Sequence, residues 1–444
     1  MMATDGHGLN GAFSLAEWVV AYRGEPRMTE TDIRHIRSRR EMIRFLDGYS
    51  LERKEELDER KVKRPLVKTH LIEVLDGRQA RTDDQYKDLF ARRGLTLRSI
   101  DTGLFMAWDQ AGSPVGFLES LRPRIAALYS TMDAQPLSAF VRKLIVSAPE
   151  LDHVWLSGVT FNVLWNVVKR LSAPNRFAKI VFTHDSVFEV DNEPEMSDAE
   201  EEAPGPQDET EDLASVVERR AARFQLVDRV SVVSSKLVLL QQLYSPLYAI
   251  SQLRFPSPAG RGGHDFYDNG KVTNRSESFR DHRSHVLYVT RIYEQMLGRT
   301  EQQTWYSVTT SLRAHGEFRK IAGAPLVVKF VEPLNAPTFD HWVKSTFERS
   351  RNRFRLWGHP IRLGPTKVHV YGLDRHLWQP LFLELTANGC MAIIPNGTCG
   401  NSVHRLVTNI QRFLDPGAQV YLGDLPYGKF VEEASVGIEY ETAG

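Results

Sequence analysis

One carboxylate stands out against its surroundings. Glu384 lies in LDRHLWQPLFLELTANGCMAIIPN (residues 373–396), among Leu377, Trp378, Leu381, Phe382 and Leu385. At three-and-four spacing those apolar residues predict a helix buried on one side, closed by Asn388-Gly389 and followed by a core strand over 391–394. A carboxylate on a buried face needs a partner, and two adjacent sugar hydroxyls can donate to it. The same half of the chain offers Arg291, directly after HVLYVT, and Arg299 beyond it. Guanidinium groups neutralise a diphosphate and donate paired hydrogen bonds to it. Gly358 ends RLWG, and Gly372 and Asp374 follow VHVY, again at predicted strand ends. In a parallel sheet such ends converge on one crevice, where a nucleotide diphosphate would satisfy arginines and carboxylate together. Surface salt bridges are the plainer fate of the two arginines.

His184-Asp185 forms a second candidate, immediately after AKIVFT. The imidazole could hold a sugar hydroxyl or a developing charge, and Asp185 could accept a proton or orient an alcohol. Alternatively, Asp185 caps the following turn and His184 packs beneath it.

The elements that would position these residues alternate along the chain. Strands are expected at 66–75, 95–100 and 104–108. After 150 the pattern runs strand 153–156, helix 161–171, strand 179–183, helix 214–226, strand 230–233 and helix 234–244. A second run has strands at 286–289, 326–330, 354–357, 368–371 and 391–394, with helices near 301–314, 339–348, 402–414 and around Glu384. Alternation of this kind implies βαβ units and a parallel sheet, an α/β class. The first 65 residues look helical, with Ser14 to Glu17 as a capping box and Ile33, Ile36, Ile43 and Leu46 at helical spacing through an Arg-rich stretch. Its basic face is either a polyanion contact or a solvated surface.

At 444 residues the chain exceeds one ordinary core. Two domains are expected: residues 1–256, a linker at 257–284 rich in Pro, Gly and Ser, residues 285–425, and a tail at 426–444. Twelve acidic and no basic residues occur in 189–213, read as a disordered insertion that is either a solvated loop or a gate over a basic cleft. They leave 44 acidic against 56 basic residues elsewhere, so nucleic acid is an admissible partner. Two cysteines nine positions apart suggest neither a disulfide framework nor a zinc site. No apolar run approaches the roughly 20 residues of a membrane span, and the start lacks a signal-peptide core, so a cytoplasmic protein without membrane contact is expected.

VFTHDSVF, DRVSVVSSKLVLLQQLY, LYVTRIYEQMLGR and ELTANGCMAII, spread over residues 150–415, resemble the GT-B glycosyltransferases. Within that class HDSV and LELTANGCMAIIPN look most like the DNA α-glucosyltransferases of T-even phages, which act on hydroxymethylcytosine. The resemblance implies two Rossmann-like domains across a cleft, with a helical N-terminal elaboration. It implies a sugar moved from a nucleoside diphosphate, UDP-sugar for preference, to a hydroxyl on a modified pyrimidine in DNA, in the host cytoplasm if phage-encoded. Glu384 would then bind the ribose, Arg291 and Arg299 the diphosphate, with Gly358, Gly372 and Asp374 lining the donor site. His184 and Asp185 would contact sugar or acceptor. The family's E-x7-E pattern has His376 where its first glutamate would stand, and no glycine-rich opening loop is visible. No metal or other cofactor is required, since arginines can carry the phosphate charge, although Mg²⁺ or Mn²⁺ could enter with the diphosphate. An envelope-glycan or small-molecule acceptor, and a non-catalytic nucleic-acid-binding protein of the same fold, are the alternatives.

Overall fold

The computed structural model describes residues 33, 35–58, 65–75, 81–185, 221–243, 247–258, 260–313, 316–347 and 353–441. The capping box at Ser14 and the acidic stretch 189–213 lie outside them. In chain order the first half comprises α1 (Arg39–Asp58), β1 (Lys68–Val74), α2 (Asp83–Ala91), β2 (Leu95–Asp101), β3 (Leu104–Asp109), β4 (Pro114–Arg122), β5 (Ile125–Ser130), α3 (Ala134–Ser147), β6 (Leu151–His153), α4 (Gly158–Leu171), β7 (Phe177–Asp185), β8 (Ala221–Arg229), α5 (Val230–Leu243), β9 (Ile250–Pro256), β10 (Gly263–Tyr267) and β11 (Lys271–Asn274). The second comprises α6 (Phe279–Thr304), β12 (Trp305–Arg313), β13 (Gly316–Ala322), β14 (Leu326–Lys329), α7 (Ala336–Phe347), β15 (Leu356–Gly364), β16 (Lys367–Asp374), β17 (Gln379–Thr386), β18 (Gly389–Pro395), α8 (Asn401–Phe413), β19 (Gln419–Leu422), β20 (Leu425–Pro426) and α9 (Tyr427–Ser435).

The protein is mixed α/β, with two largely antiparallel sheets. The first runs β2-β3-β4-β5-β1-β11-β10-β9-β7-β8, with β6 on β1. The second runs β15-β16-β17-β18-β14-β19-β20, with the β12–β13 hairpin attached through β18. Among described pairings only β12 with β18 is parallel. This corrects the parallel sheet expected from alternation. Several joins between neighbouring strands are hairpin turns of a few residues, such as Pro365-Thr366 between β15 and β16, and so short a connection can only return the chain antiparallel.

The segment expected as a linker supplies β10 and β11, which sit mid-sheet between β9 and β1. Gly270 permits their turn at φ +74°, so glycine there signals a hairpin rather than a boundary. The run containing HVLYVT is not a strand but part of α6, whose buried Phe279, His282, Val286, Val289, Tyr293 and Met296 recur at helical spacing. Residues 230–233, expected as a strand, begin α5, and residues 221–226, expected as helix, form β8.

One continuous apolar core joins the halves. It includes Leu71 and Phe266 of the first sheet, Tyr293 and Met296 of α6, Val370 and Leu383 of the second sheet, and Val407 of α8. A second cluster fills the space between α2, α3 and β2–β5. Among the described residues no helix is long and apolar enough to cross a membrane.

Candidate functional site

Glu384 is on a strand. Leu381, Leu383 and Leu385 of β17 point inward while Phe382 and Glu384 point outward, a period of two. The helical reading fails because Leu381 and Leu385 fit both periods and Leu383 alone decides between them. Glu384 is part-exposed and accepts from Lys367 Nζ at 2.9 Å and His369 Nε2 at 2.7 Å. These hydrogen bonds, Lys367 first, lower its carboxyl from the ordinary value.

Gly358 and Gly372 meet directly across β15 and β16. A Cβ on Gly358 would come within 3.0 Å of Gly372 Cα, so the pair serves strand contact. Asp374 ends β16 fully buried, accepting from Arg405 and Ser402 of α8. Arg291 and Arg299 lie on α6, and carboxylates of the C-terminal segment hold them: Glu441 at 2.6 Å and Glu433 at 2.7 Å. His184 and Asp185 end β7 in the other sheet, and His184 Nδ1 lies 3.1 Å from Arg412 O. Gly358, Gly372, Asp374 and Glu384 therefore share neighbouring strands, while the arginines and the His-Asp pair lie elsewhere. In the Arg-rich stretch, Arg40 and Arg44 are exposed, whereas Arg39 pairs with Glu119 at 2.7 Å and Asp101 at 3.7 Å.

Among the described residues, the strands around Glu384 present an outer face on which no other element packs. Cross-strand register aligns His359, Tyr371, Phe382 and Ile393 in one row over β15–β18, and Ile361, His369, Glu384 and Met391 in the next. Trp357 is 58% exposed, Tyr371 60% and Phe382 43%, and their grouping on one face is informative where a single exposed ring would not be. The Tyr371 and Phe382 rings lie 4.9 Å apart, and Arg375 sits over the ring of the exposed Trp378 at 5.9 Å. The opposite face carries Leu356, Val368, Val370, Leu381 and Leu383 against the core, and α7 packs behind β15. Pro360 and a bulge between Arg362 and Gly364 mark β15 as a sheet edge protected from further pairing.

Beneath this sheet, charged groups fill the seam with β1 and β6. Arg405 donates to Asp152, Asp374 and Phe354 O, and Arg355 lies 3.2 Å from Asp152. Beside them Arg124 joins Glu73 at 2.6 Å, Glu301 at 2.7 Å and Cys399 Sγ at 3.1 Å. His376, in the β16–β17 turn, lies 3.4 Å from Glu73. Burial would raise the Glu73 carboxyl, but Arg124 and then His376 outweigh it and hold it at about 2.

The profile of the MJECL33-like protein family matches residues 30–426. The chain belongs to that family. No curated protein and no solved structure matches it. In this family member, sequence reasoning missed both the outer face and the seam. The face was legible in the alternation Leu381, Leu383, Leu385. The seam joins residues from remote segments and left no spacing to find.

Proposed function

We propose that this protein binds single-stranded nucleic acid across the outer face of β15–β18, by stacking bases on its exposed rings. The row of His359, Tyr371 and Phe382, with Trp357 beside it, is the observation that carries the reading. Adjacent strands lie about 4.8 Å apart, a spacing that lets flat rings on neighbouring strands receive successive bases. Four-stranded antiparallel sheets with outward aromatics are an established way of reading unpaired bases. Lys367 and Arg375 border the rings and supply positive charge for phosphates, His359 and His369 add ring N–H groups, and Glu384 is the opposing charge. Sugar transfer in the GT-B manner draws no support here, because Rossmann-like domains need parallel sheets and the expected donor groups lie apart.

Fluorescence polarisation with labelled single-stranded DNA and RNA oligonucleotides, and with a hairpin duplex, tests the proposal. Single strands should bind more tightly than duplex, with affinity falling as salt rises. Tyr371→Ala and Phe382→Ala should each weaken binding by about 5- to 150-fold, matching roughly 1–3 kcal/mol per stacked base, while the melting temperature changes little. Undiminished binding by both variants would overturn the proposal. So would self-association of the chain that Tyr371→Ala abolishes, since the face would then belong to a second copy.

A further inference from the structure

We propose that Glu73, His376 and Cys399 form a zinc site that clamps the first sheet to the second. The three come from β1, the β16–β17 turn and the segment before α8, and their candidate ligand atoms lie within 4.8 Å of one another. All three side chains are buried, His376 and Glu73 completely.

The histidine carries the argument. Its Nδ1 lies 2.7 Å from Pro149 O. A carbonyl can only accept, so Nδ1 bears a proton, and a metal at Nε2 takes the place of the second proton that would otherwise face Glu73. Nε2 makes no hydrogen bond, is fully buried, and points to Glu73 Oε2 at 3.4 Å. An imidazole that donates one nitrogen to a backbone carbonyl and offers the other is the usual posture of a metal ligand.

The spacings from Glu73 to the other two ligands fit as well. Zn–N and Zn–O bonds of about 2.0 Å and a Zn–S bond of about 2.3 Å, set at tetrahedral angles, separate the ligand atoms by roughly 3.3–3.5 Å. Nε2 to Oε2 is 3.4 Å, and Cys399 Sγ to the Glu73 oxygens is 3.3 and 3.5 Å. One sulfur, one imidazole nitrogen and one carboxylate oxygen suit Zn²⁺, whereas Mg²⁺ and Ca²⁺ prefer oxygen alone. Binding takes the proton from the Cys399 thiol to solvent. Thiolate, Glu73 and Glu301 then carry three negative charges against Arg124, and the dication brings the cluster to neutrality. Arg124 Nη2, 2.6 Å from Glu73 Oε1 and 3.1 Å from Sγ, donates to both ligands and leaves Oε2 for the metal.

The test uses the full chain. Zinc should copurify at about one per chain by elemental analysis. Replacement with Co²⁺ should give a near-ultraviolet thiolate-to-cobalt band and visible bands of four-coordinate intensity. Cys390→Ser should keep the thiolate band, Cys399→Ser should lose it, and His376→Ala should lose stoichiometric metal, with circular dichroism reporting the fold of each. Should Cys399→Ser fail to fold, the thiolate band in Cys390→Ser still assigns the sulfur to Cys399. A folded wild-type chain that takes up neither Zn²⁺ nor Co²⁺ in stoichiometric amount would overturn the proposal, as would a cobalt spectrum without the thiolate band.

Discussion

Glu384 and His369 face each other across β17 and β16, and the imidazole Nε2 donates to the carboxylate at 2.7 Å. This cross-strand pair sits on the outer face with Lys367, where solvent screens charge, and exposed pairs of this kind contribute about 0–1 kcal/mol. The lowered Glu384 carboxyl adds stability above its unfolded value and loses it as pH falls through the folded one. Glu384→Gln should therefore shift the urea midpoint by less than about 1 kcal/mol equivalent. It should tighten oligonucleotide binding, because one negative charge leaves the face. A loss of several kcal/mol would give this carboxylate a structural role it does not show.

Arg405 is completely buried and joins α8 to β6 and β16 through Asp152 and Asp374. Arg405→Met removes the cation and leaves carboxylates in the core, which costs about 3–5 kcal/mol. Chemical denaturation should show that loss. Adding Asp374→Asn to Arg405→Met should recover part of it, because Arg355 still serves Asp152 while Asp374 loses its main cationic partner. A double variant as unstable as the sum of its parts would refute the coupling.

Gly389 and Gly397 both have positive φ, at +144° and +96°, yet only Gly389 is crowded. A Cβ there would lie 1.9 Å from Val328 O on the neighbouring β14, whereas nothing lies within 4 Å at Gly397. Gly389→Ala should cost about 2 kcal/mol or more and loosen β14 from β18, while Gly397→Ala should cost about 1 kcal/mol. Thermal melts of the two variants compare them directly.

Burial lowers His153 to about 4 and His282, His285 and His404 to about 3. An unfolded histidine titrates near 6.5. Below that pH the unfolded chain takes up protons that the folded chain refuses, so stability falls with pH, by up to about 1.4 kcal/mol per unit for each histidine. Glu73 and Asp265 add a second loss at lower pH. Burial would raise both, but arginines hold each at about 2, so their contribution is full above roughly pH 4.5 and disappears as pH falls toward 2. Urea midpoints at pH 7.5, 6.0 and 5.0 should decline steadily. A flat profile would mean that these histidines are protonated in the folded chain.

Many element positions were legible. The strands of 66–75, 95–100, 104–108, 368–371 and 391–394, and the helices of 161–171, 339–348 and 402–414, each overlap the expected element. Type was harder where a short apolar run fits two periods, as at HVLYVT in α6 and at Leu381 to Leu385 in β17. Pairing direction was not legible at all, because it depends on which strands meet. Nor was any contact such as Glu73 with Cys399, which the fold brings together across 326 residues.

By itself the sequence determined composition, the mixed α/β class, the local periodicities and the presence of unusual polar residues such as Glu384 and His376. Those follow from neighbours along the chain, whose spacing sets which face a side chain takes. Only the tertiary structure decided that Glu384 faces outward among exposed rings and that His376 turns inward against Glu73. Burial and partners are properties of elements packed together, and residues from β1, the β16–β17 turn and the segment before α8 meet only once both sheets have formed around one core.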